Sequence, residues 1–328
     1  MRICIVTPFF NAQYKSVRFD ELSKRFVKKG HEVHIITRGK KFKLKCIDGR
    51  FVHYLPVNSI AMKLVPSLSY HVREYLRMVC REYDVDIIEA HHLSAFGITR
   101  VYLGVPIVAQ IAQLYSETLK ALRSFKFSEL PLRYIVNRLF YVPNILMRMD
   151  MAICASSDMI ITSCNHAKRI MVSLGIPESK IKVVSGGVDT KVFKPNIEQE
   201  TKNSLTPRFC REASHIILSV ARISILKGFE FLIRSLKLLK SKWPRLKCII
   251  IGGGSIDEVS RLRKLAYRLG IQDSVMMMGF VRHEKMPYVY SIADIVVLPS
   301  LREGTPLVLL EAMACCLLYT SPSPRDRG

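Results

Sequence analysis

Short runs of β-branched and apolar residues, each followed by a stretch of helical period, recur along the chain and restrict it to parallel sheets wound with helices. The runs Ile3–Val6, Glu32–Thr37, Ile87–Ala90, Ile107–Ala109, Met159–Thr162 and Lys182–Val184 predict strands. Between them, Val17–Lys29, ended by Gly30, and Tyr70–Glu82, ending before Asp84-Val85-Asp86, predict amphipathic helices. A polar, aperiodic stretch at 191–214 reads as a linker or surface loop. Beyond it the pattern starts again. Strands are expected at Ile216–Val220, Lys247–Ile251, Val275–Met278 and Asp294–Leu298, with helices at Gly228–Lys240 and Asp257–Leu269.

The expected fold class is α/β, with two similar doubly wound, Rossmann-like domains facing each other across a cleft. The expected domains are 1–190, then the linker 191–214, then 215–315. At 328 residues and 49% apolar composition, the chain has ample material for two cores. Residues 316–328, Cys316-Leu317-Leu318-Tyr319-Thr320-Ser321-Pro322-Ser323-Pro324 and onward, break the last helix abruptly. They resemble read-through of a sequencing-library adaptor, so the second domain is expected to be incomplete and the tail to lie outside the fold.

Nine cysteines show no C-x-x-C pair and no metal-ligand spacing, which fits a reducing cytoplasm. The apolar start Ile3-Cys4-Ile5-Val6 is too short for a signal peptide, and no stretch of transmembrane length is free of charge. A net charge of +23 implies an anionic partner: nucleic acid, an anionic membrane face or a phosphorylated substrate. The basic residues are dispersed over amphipathic helices, with no zinc finger or RNA-recognition signature, so no nucleic acid is expected. Residues 119–149 interleave Lys120, Arg123, Lys126, Arg133, Arg138 and Arg148 with apolar and aromatic residues. That pattern suits a helix pair on anionic lipid at the inner face of the cell membrane, and equally an ordinary solvated basic face.

Chemistry concentrates in Glu303-Gly304-Thr305-Pro306-Leu307 and Glu311. Thr305 reads as an N-cap and Pro306 as the first helical residue, so a helix amino end points into the loop and suits a diphosphate. Two carboxylates beside a phosphate are costly unless each accepts hydrogen bonds from hydroxyls, as sugars supply. The motif reads as sugar next to phosphate. Arg222 and Lys227 lie between the first strand and first helix of the second domain, and Lys227 at a helix amino end suggests a compensating phosphate, the alternative being a solvated loop charge. Gly252-Gly253-Gly254 follows a strand but lacks the third glycine of G-x-G-x-x-G, so it reads as a tight turn.

Taken together, Ala221-Arg222 with Lys227-Gly228, Gly279-Phe280-Val281, Ala293-Asp294 with Leu298-Pro299-Ser300, and Glu303-Gly304 with Glu311-Ala312-Met313-Ala314 resemble the group 1 glycosyltransferases, family 4. Gly30-His31-Glu32-Val33 and Gly187-Val188-Asp189 before Phe193-Lys194-Pro195 agree. The resemblance implies a GT-B fold and retaining transfer of a hexose-type sugar from a UDP- or GDP-sugar, with no metal or other cofactor. The implied acceptor is a glycan or a lipid-linked molecule of surface polysaccharide, lipopolysaccharide or glycolipid synthesis. A soluble sugar or sugar-phosphate acceptor, or a non-catalytic nucleotide-sugar or polyanion binder, is the alternative.

By the same resemblance Arg222 and Lys227 bind the donor diphosphate, Glu303 the donor-sugar hydroxyls and Glu311 the ribose. Gly304, Thr305, Pro306 and Leu307 border sugar and phosphate, and Gly279, Phe280 and Val281 border the base. His91, in Glu89-Ala90-His91-His92, matches the family histidine that contacts donor sugar or acceptor. The chain departs from the family pattern at Asn11-Ala12-Gln13 and at Ala112, both on the acceptor side.

Overall fold

The computed structural model describes residues 1–7, 10, 17–56, 65–91, 98, 103–112, 114, 117, 142–195 and 207–320. They divide into two compact units, one holding the described residues up to Ser185 and the other those from Gly186 on.

The first unit runs β1 (Arg2–Val6), α1 (Val17–Lys28), β2 (Glu32–Gly39), β3 (Lys43–Ile47), β4 (Arg50–Pro56), α2 (Val65–Glu82), β5 (Ile87–His91), β6 (Ile107–Gln110), α3 (Val142–Ser156), β7 (Met159–Thr162), α4 (Asn165–Ser173) and β8 (Ile181–Val183). Its strands lie in the order β3-β4-β2-β1-β5-β6-β7-β8, parallel except for β3 against β4. Residues Ile3-Cys4-Ile5-Val6 of β1 are all buried, the unbroken apolar run expected of a strand covered on both faces. The β3–β4 hairpin was not expected from the apolar runs, because every residue of β3 except Ile47 is exposed. Its signal was the Asp48-Gly49 turn, whose two positive φ angles of 49° and 75° match the twist of a two-residue hairpin.

Arg50 closes this hairpin onto α1. Its guanidinium is fully buried and donates to Asp20 Oδ1 at 2.7 Å, Ser23 Oγ at 2.8 Å and Asp48 Oδ2 at 2.7 Å. Each of its charged neighbours is therefore a hydrogen-bond partner as well, which is what makes a buried charge tolerable.

A second device sets strand register in both units. Asp86, Asp158 and Asp294 each stand one residue before a strand, and each accepts an amide at the start of the neighbouring strand: Arg2 at 2.6 Å, Ile107 at 2.7 Å and Ile216 at 2.7 Å. A slip of one residue would break these bonds and turn the apolar face outward.

The second unit runs β9 (His215–Val220), α5 (Phe229–Lys240), β10 (Leu246–Ile251), α6 (Ile256–Arg268), β11 (Val275–Gly279), α7 (Met286–Ser291), β12 (Ile295–Val297), α8 (Leu307–Ala314) and β13 (Leu318–Thr320). The order is β11-β10-β9-β12-β13, parallel throughout. Three expectations change here. The second unit begins at Gly186, not after 190, because Val188 and Phe193 pack into its core with Tyr290 and Leu309. The ends of the stretch read as a linker are likewise part of that core, with Phe193 and Cys210 both buried, while 196–206 lie outside the described residues. Leu318–Thr320, expected outside the fold, pair with β12 through their backbones although all three side chains are exposed. Strand pairing needs only amides and carbonyls, which any sequence carries to an open edge.

Candidate active site

All the site residues expected from the sequence except His91 lie in the second unit, on loops at the carboxyl ends of its strands or on the helix that follows. Those loops are stitched together by backbone hydrogen bonds. Gly252 N donates to Gly279 O at 2.8 Å, Ile223 N to Gly253 O at 2.8 Å, and Leu301 N to Leu226 O at 3.0 Å. The loops after β11, β10, β9 and β12 are thus one connected surface. Strand β9 has β10 on one side and β12 on the other, so this surface sits where the chain's winding reverses, the place where open parallel sheets bind ligands.

Two glycines make the stitching possible. A Cβ on Gly252, at φ +147°, would stand 1.9 Å from Ala221 O, and one on Gly228, at φ +65°, would stand 1.9 Å from Pro299 O. The Gly252-Gly253-Gly254 run therefore serves close backbone approach beside Arg222, as its tight-turn reading expected.

Lys227 closes a short 3-10 turn, Ile225–Lys227, and Gly228 in the left-handed region separates it from α5. Its Nζ lies 2.5 Å from Glu303 Oε1, and Ser300 Oγ donates to the same oxygen at 2.6 Å. The two residues assigned separate ligands in the sequence are therefore partners here, and the anion compensating Lys227 is Glu303. Among the described residues no donor reaches Glu303 Oε2. Arg222 is exposed and, among the described residues, has no ion pair or side-chain hydrogen bond.

Helix α8 starts one residue later than expected. Pro306 is its N-cap, with ψ 102°, and no side chain caps the amino end. The missing proline N–H then falls outside the first turn, and the amides of Leu307 and Val308 carry its positive end. Glu311, one turn further on, is buried and doubly engaged: His283 Nε2 lies 3.0 Å from Oε1, and Tyr290 OH donates to Oε2 at 2.7 Å. Burial, then the charge of Glu311, push the Tyr290 phenol far above its ordinary range, so it acts as a fixed donor. His283 and Tyr290 escaped the sequence reading; no motif spacing marks them. Phe280 is 73% exposed beyond the left-handed Gly279, at the rim of the same surface.

In the first unit His91 ends β5. Its Nε2 lies 2.9 Å from Glu89 Oε1, its ring centroid is 3.6 Å from that of Phe19, and Nδ1 is buried without a partner among the described residues. Ala112 is exposed just after β6, whereas Asn11-Ala12-Gln13 and most of 119–149 lie outside the described residues. No helix among the described residues is long and apolar enough to cross a membrane.

The two α/β units with parallel sheets define the class to which the site belongs. Residues 16–192, more than half of the chain, match the profile of Glycosyltransferase Family 4, and residues 207–319 match that of Glycosyl transferases group 1. The chain belongs to the group 1 glycosyltransferases of family 4. An uncharacterized glycosyltransferase of Methanocaldococcus jannaschii is 32% identical over 157 residues, 47% of this chain and 40% of that protein. A D-inositol 3-phosphate glycosyltransferase of Mycobacteroides abscessus is 31% identical over 160 residues, 48% of this chain and 34% of that protein. The chain thus spans less than half the length of these two relatives.

Among solved structures, the sucrose-phosphate synthase of Thermosynechococcus elongatus superposes with a TM-score of 0.78 at 18% identity, over 98% of this chain and 80% of that one. Anabaena HepE in complex with UDP and glucose gives 0.68 at 17% identity, with the same two coverages. These likenesses bear out the fold, two parallel-sheet α/β domains of the GT-B type.

Proposed function

We propose that the chain is a retaining glycosyltransferase that moves a hexose-type sugar from a UDP- or GDP-sugar to a glycan or lipid-linked acceptor of surface polysaccharide, lipopolysaccharide or glycolipid synthesis. The observation that carries this is the Lys227–Glu303–Ser300 cluster, set beside the uncapped amino end of α8 where two neighbouring strands end. A diphosphate there meets the helix amides, Lys227 and the exposed Arg222, while Glu303 Oε2 accepts from sugar hydroxyls. Glu311 takes the ribose, and the Gly279-Phe280-Val281 turn borders the base.

In the reaction the bond from the sugar's anomeric carbon to the diphosphate oxygen breaks. The acceptor oxygen bonds that carbon on the same face and passes its proton to the departing phosphate. Arg222 and Lys227 offset the charge that develops on the phosphate, so no metal is required. His91, with Glu89 on Nε2, contacts donor sugar or acceptor through Nδ1. The protein works in the cytoplasm, peripheral to the membrane's inner face.

Isothermal titration with UDP-glucose and GDP-mannose tests the donor assignment, with Glu303→Ala and Lys227→Ala expected to weaken binding. Wild-type protein that binds no nucleotide-sugar refutes it. A soluble sugar-phosphate acceptor is the second reading, favoured by the net charge of +23 and by the relative named for D-inositol 3-phosphate. Flotation with anionic vesicles separates the two, since only a lipid-linked acceptor calls for membrane attachment.

A further inference from the structure

Glu311 holds both of its carboxylate oxygens against protein donors, and the two donors differ in kind. Tyr290 is fully buried, bonds Val308 O at 3.3 Å as well as Glu311 Oε2 at 2.7 Å, and packs edge-on against Phe193. His283 belongs to a single 3-10 turn, His283–Lys285, between the exposed Phe280 and α7, and its side chain is 33% exposed. One donor is fixed in the core; the other is partly exposed, with one face of its ring toward Phe193.

We infer that Tyr290 is a positioning residue that anchors Glu311 Oε2 from the core side, and that His283 holds Oε1 until a ribose hydroxyl of the nucleotide-sugar replaces it. The inference rests on the reading of Glu311 as the ribose ligand. A vicinal diol reaching a carboxylate from solvent uses one acceptor position on each oxygen, and a carboxylate offers about four. Glu311 is itself only 10% exposed, and of its two donors the partly exposed His283, on Oε1, is the one that a ligand arriving from solvent meets, while Tyr290 on Oε2 is fully buried. Swinging His283 away gives up its ring contact with Phe193, 5.1 Å between centroids, whereas removing the Tyr290 hydroxyl leaves a buried carboxylate oxygen without a donor. Protein and ligand thus compete for Oε1, whereas at Oε2 the ligand joins Tyr290.

The test measures UDP-glucose and GDP-mannose binding by calorimetry on the full chain, in wild type, Tyr290→Phe, His283→Ala, His283→Gln and Glu311→Gln. Tyr290→Phe should raise Kd about tenfold, and His283→Ala should lower it about three- to tenfold, the reach of one hydrogen bond. His283→Gln, whose amide still donates to Oε1, should return Kd toward the wild-type value. The ¹⁵N signals of the His283 ring should also shift on adding donor in wild type but not in Glu311→Gln, a readout that a purely structural histidine would leave unmoved.

A His283→Ala variant that binds as weakly as Tyr290→Phe overturns the exchange. So does an unchanged Kd in both while Glu311→Gln weakens binding. If Glu311→Gln binds like wild type, the ribose assignment falls and takes this inference with it. If wild type binds neither probe, the proposed function itself has failed. Melting curves of each variant check that Tyr290→Phe is folded, and the surface variant His283→Ala decides the question if it is not.

Discussion

Gly228→Ala probes whether backbone contact between two loops sets the Lys227–Glu303 pair of the candidate site. At φ +65° an alanine costs about 1–2 kcal/mol for the left-handed conformation alone. Its Cβ would then lie 1.9 Å from Pro299 O, and that carbonyl must retreat by about 1.1 Å to reach even the 3.0 Å limit of real contacts. Adding the cost of such overpacking brings the loss of stability to about 2–4 kcal/mol. Pro299 precedes Ser300, whose hydroxyl is bonded to Glu303 Oε1, so the retreat carries Glu303 away from Lys227. A displacement near 1 Å in a reacting constellation costs about a hundredfold in turnover. Guanidinium denaturation reads the first effect, and nucleotide release from UDP-glucose with acceptor reads the second. A Gly228→Ala protein within 1 kcal/mol of wild type, with unaltered UDP-glucose binding and turnover, would refute the reasoning.

Other outcomes can be checked on the same protein. Arg50→Met should destabilise the first unit by about 3–5 kcal/mol in urea, because Asp20 and Asp48 lose their shared buried partner; a change under 1 kcal/mol would show the network to be dispensable. Burial, and then the neighbouring His34, bring His53 down to about 4 from 6.5. The unfolded chain therefore takes up that proton first, so stability falls as pH drops through the window from about 6.5 to 4, by about 3 kcal/mol in full. Urea titrations across that window should show the slope reduced in His53→Gln, and equal slopes would contradict it. Burial pushes the Cys154 and Cys248 thiols up to about 12, so a thiol reagent at pH 8 should label exposed Cys46 and Cys316 well before them, as peptide mapping can show.

The sheet-and-helix frame was legible in the sequence because its central strands are largely buried and so read as short, mostly apolar runs. Ile3–Val6 and Lys247–Ile251 fall within a residue of β1 and β10. What escaped was held by other forces. Strand β3 is exposed at every residue but Ile47, and the Asp48-Gly49 turn was its one local mark. Phe193 looked like part of a polar linker because its burial depends on Tyr290, 97 positions away. At the site, residue types and loop placement could be read, since a lysine at a helix amino end and two carboxylates around a helix start are each costly without a partner. Their pairing could not. That Lys227 meets Glu303, and that Glu311 is held by His283 and Tyr290, follows from segments 21 to 76 positions apart, which no local pattern encodes.

One serine shows what the site requires of the sheet beneath it. Strands β9 and β12 are in register only at Ile217 with Ile295 and Leu218 with Val296; one step on, Ser219 Oγ reaches across to Val297 O at 2.6 Å. The backbone ladder ends there, and a hydroxyl takes the place of the next rung. Beyond that rung the two strands give way to the loops that carry Lys227 and Glu303, which meet again through Leu301 N on Leu226 O and through the ion pair itself. Ser219 is thus the last tie of the sheet beneath the pair, so the position of the two loops is set from a side chain as much as from the ladder.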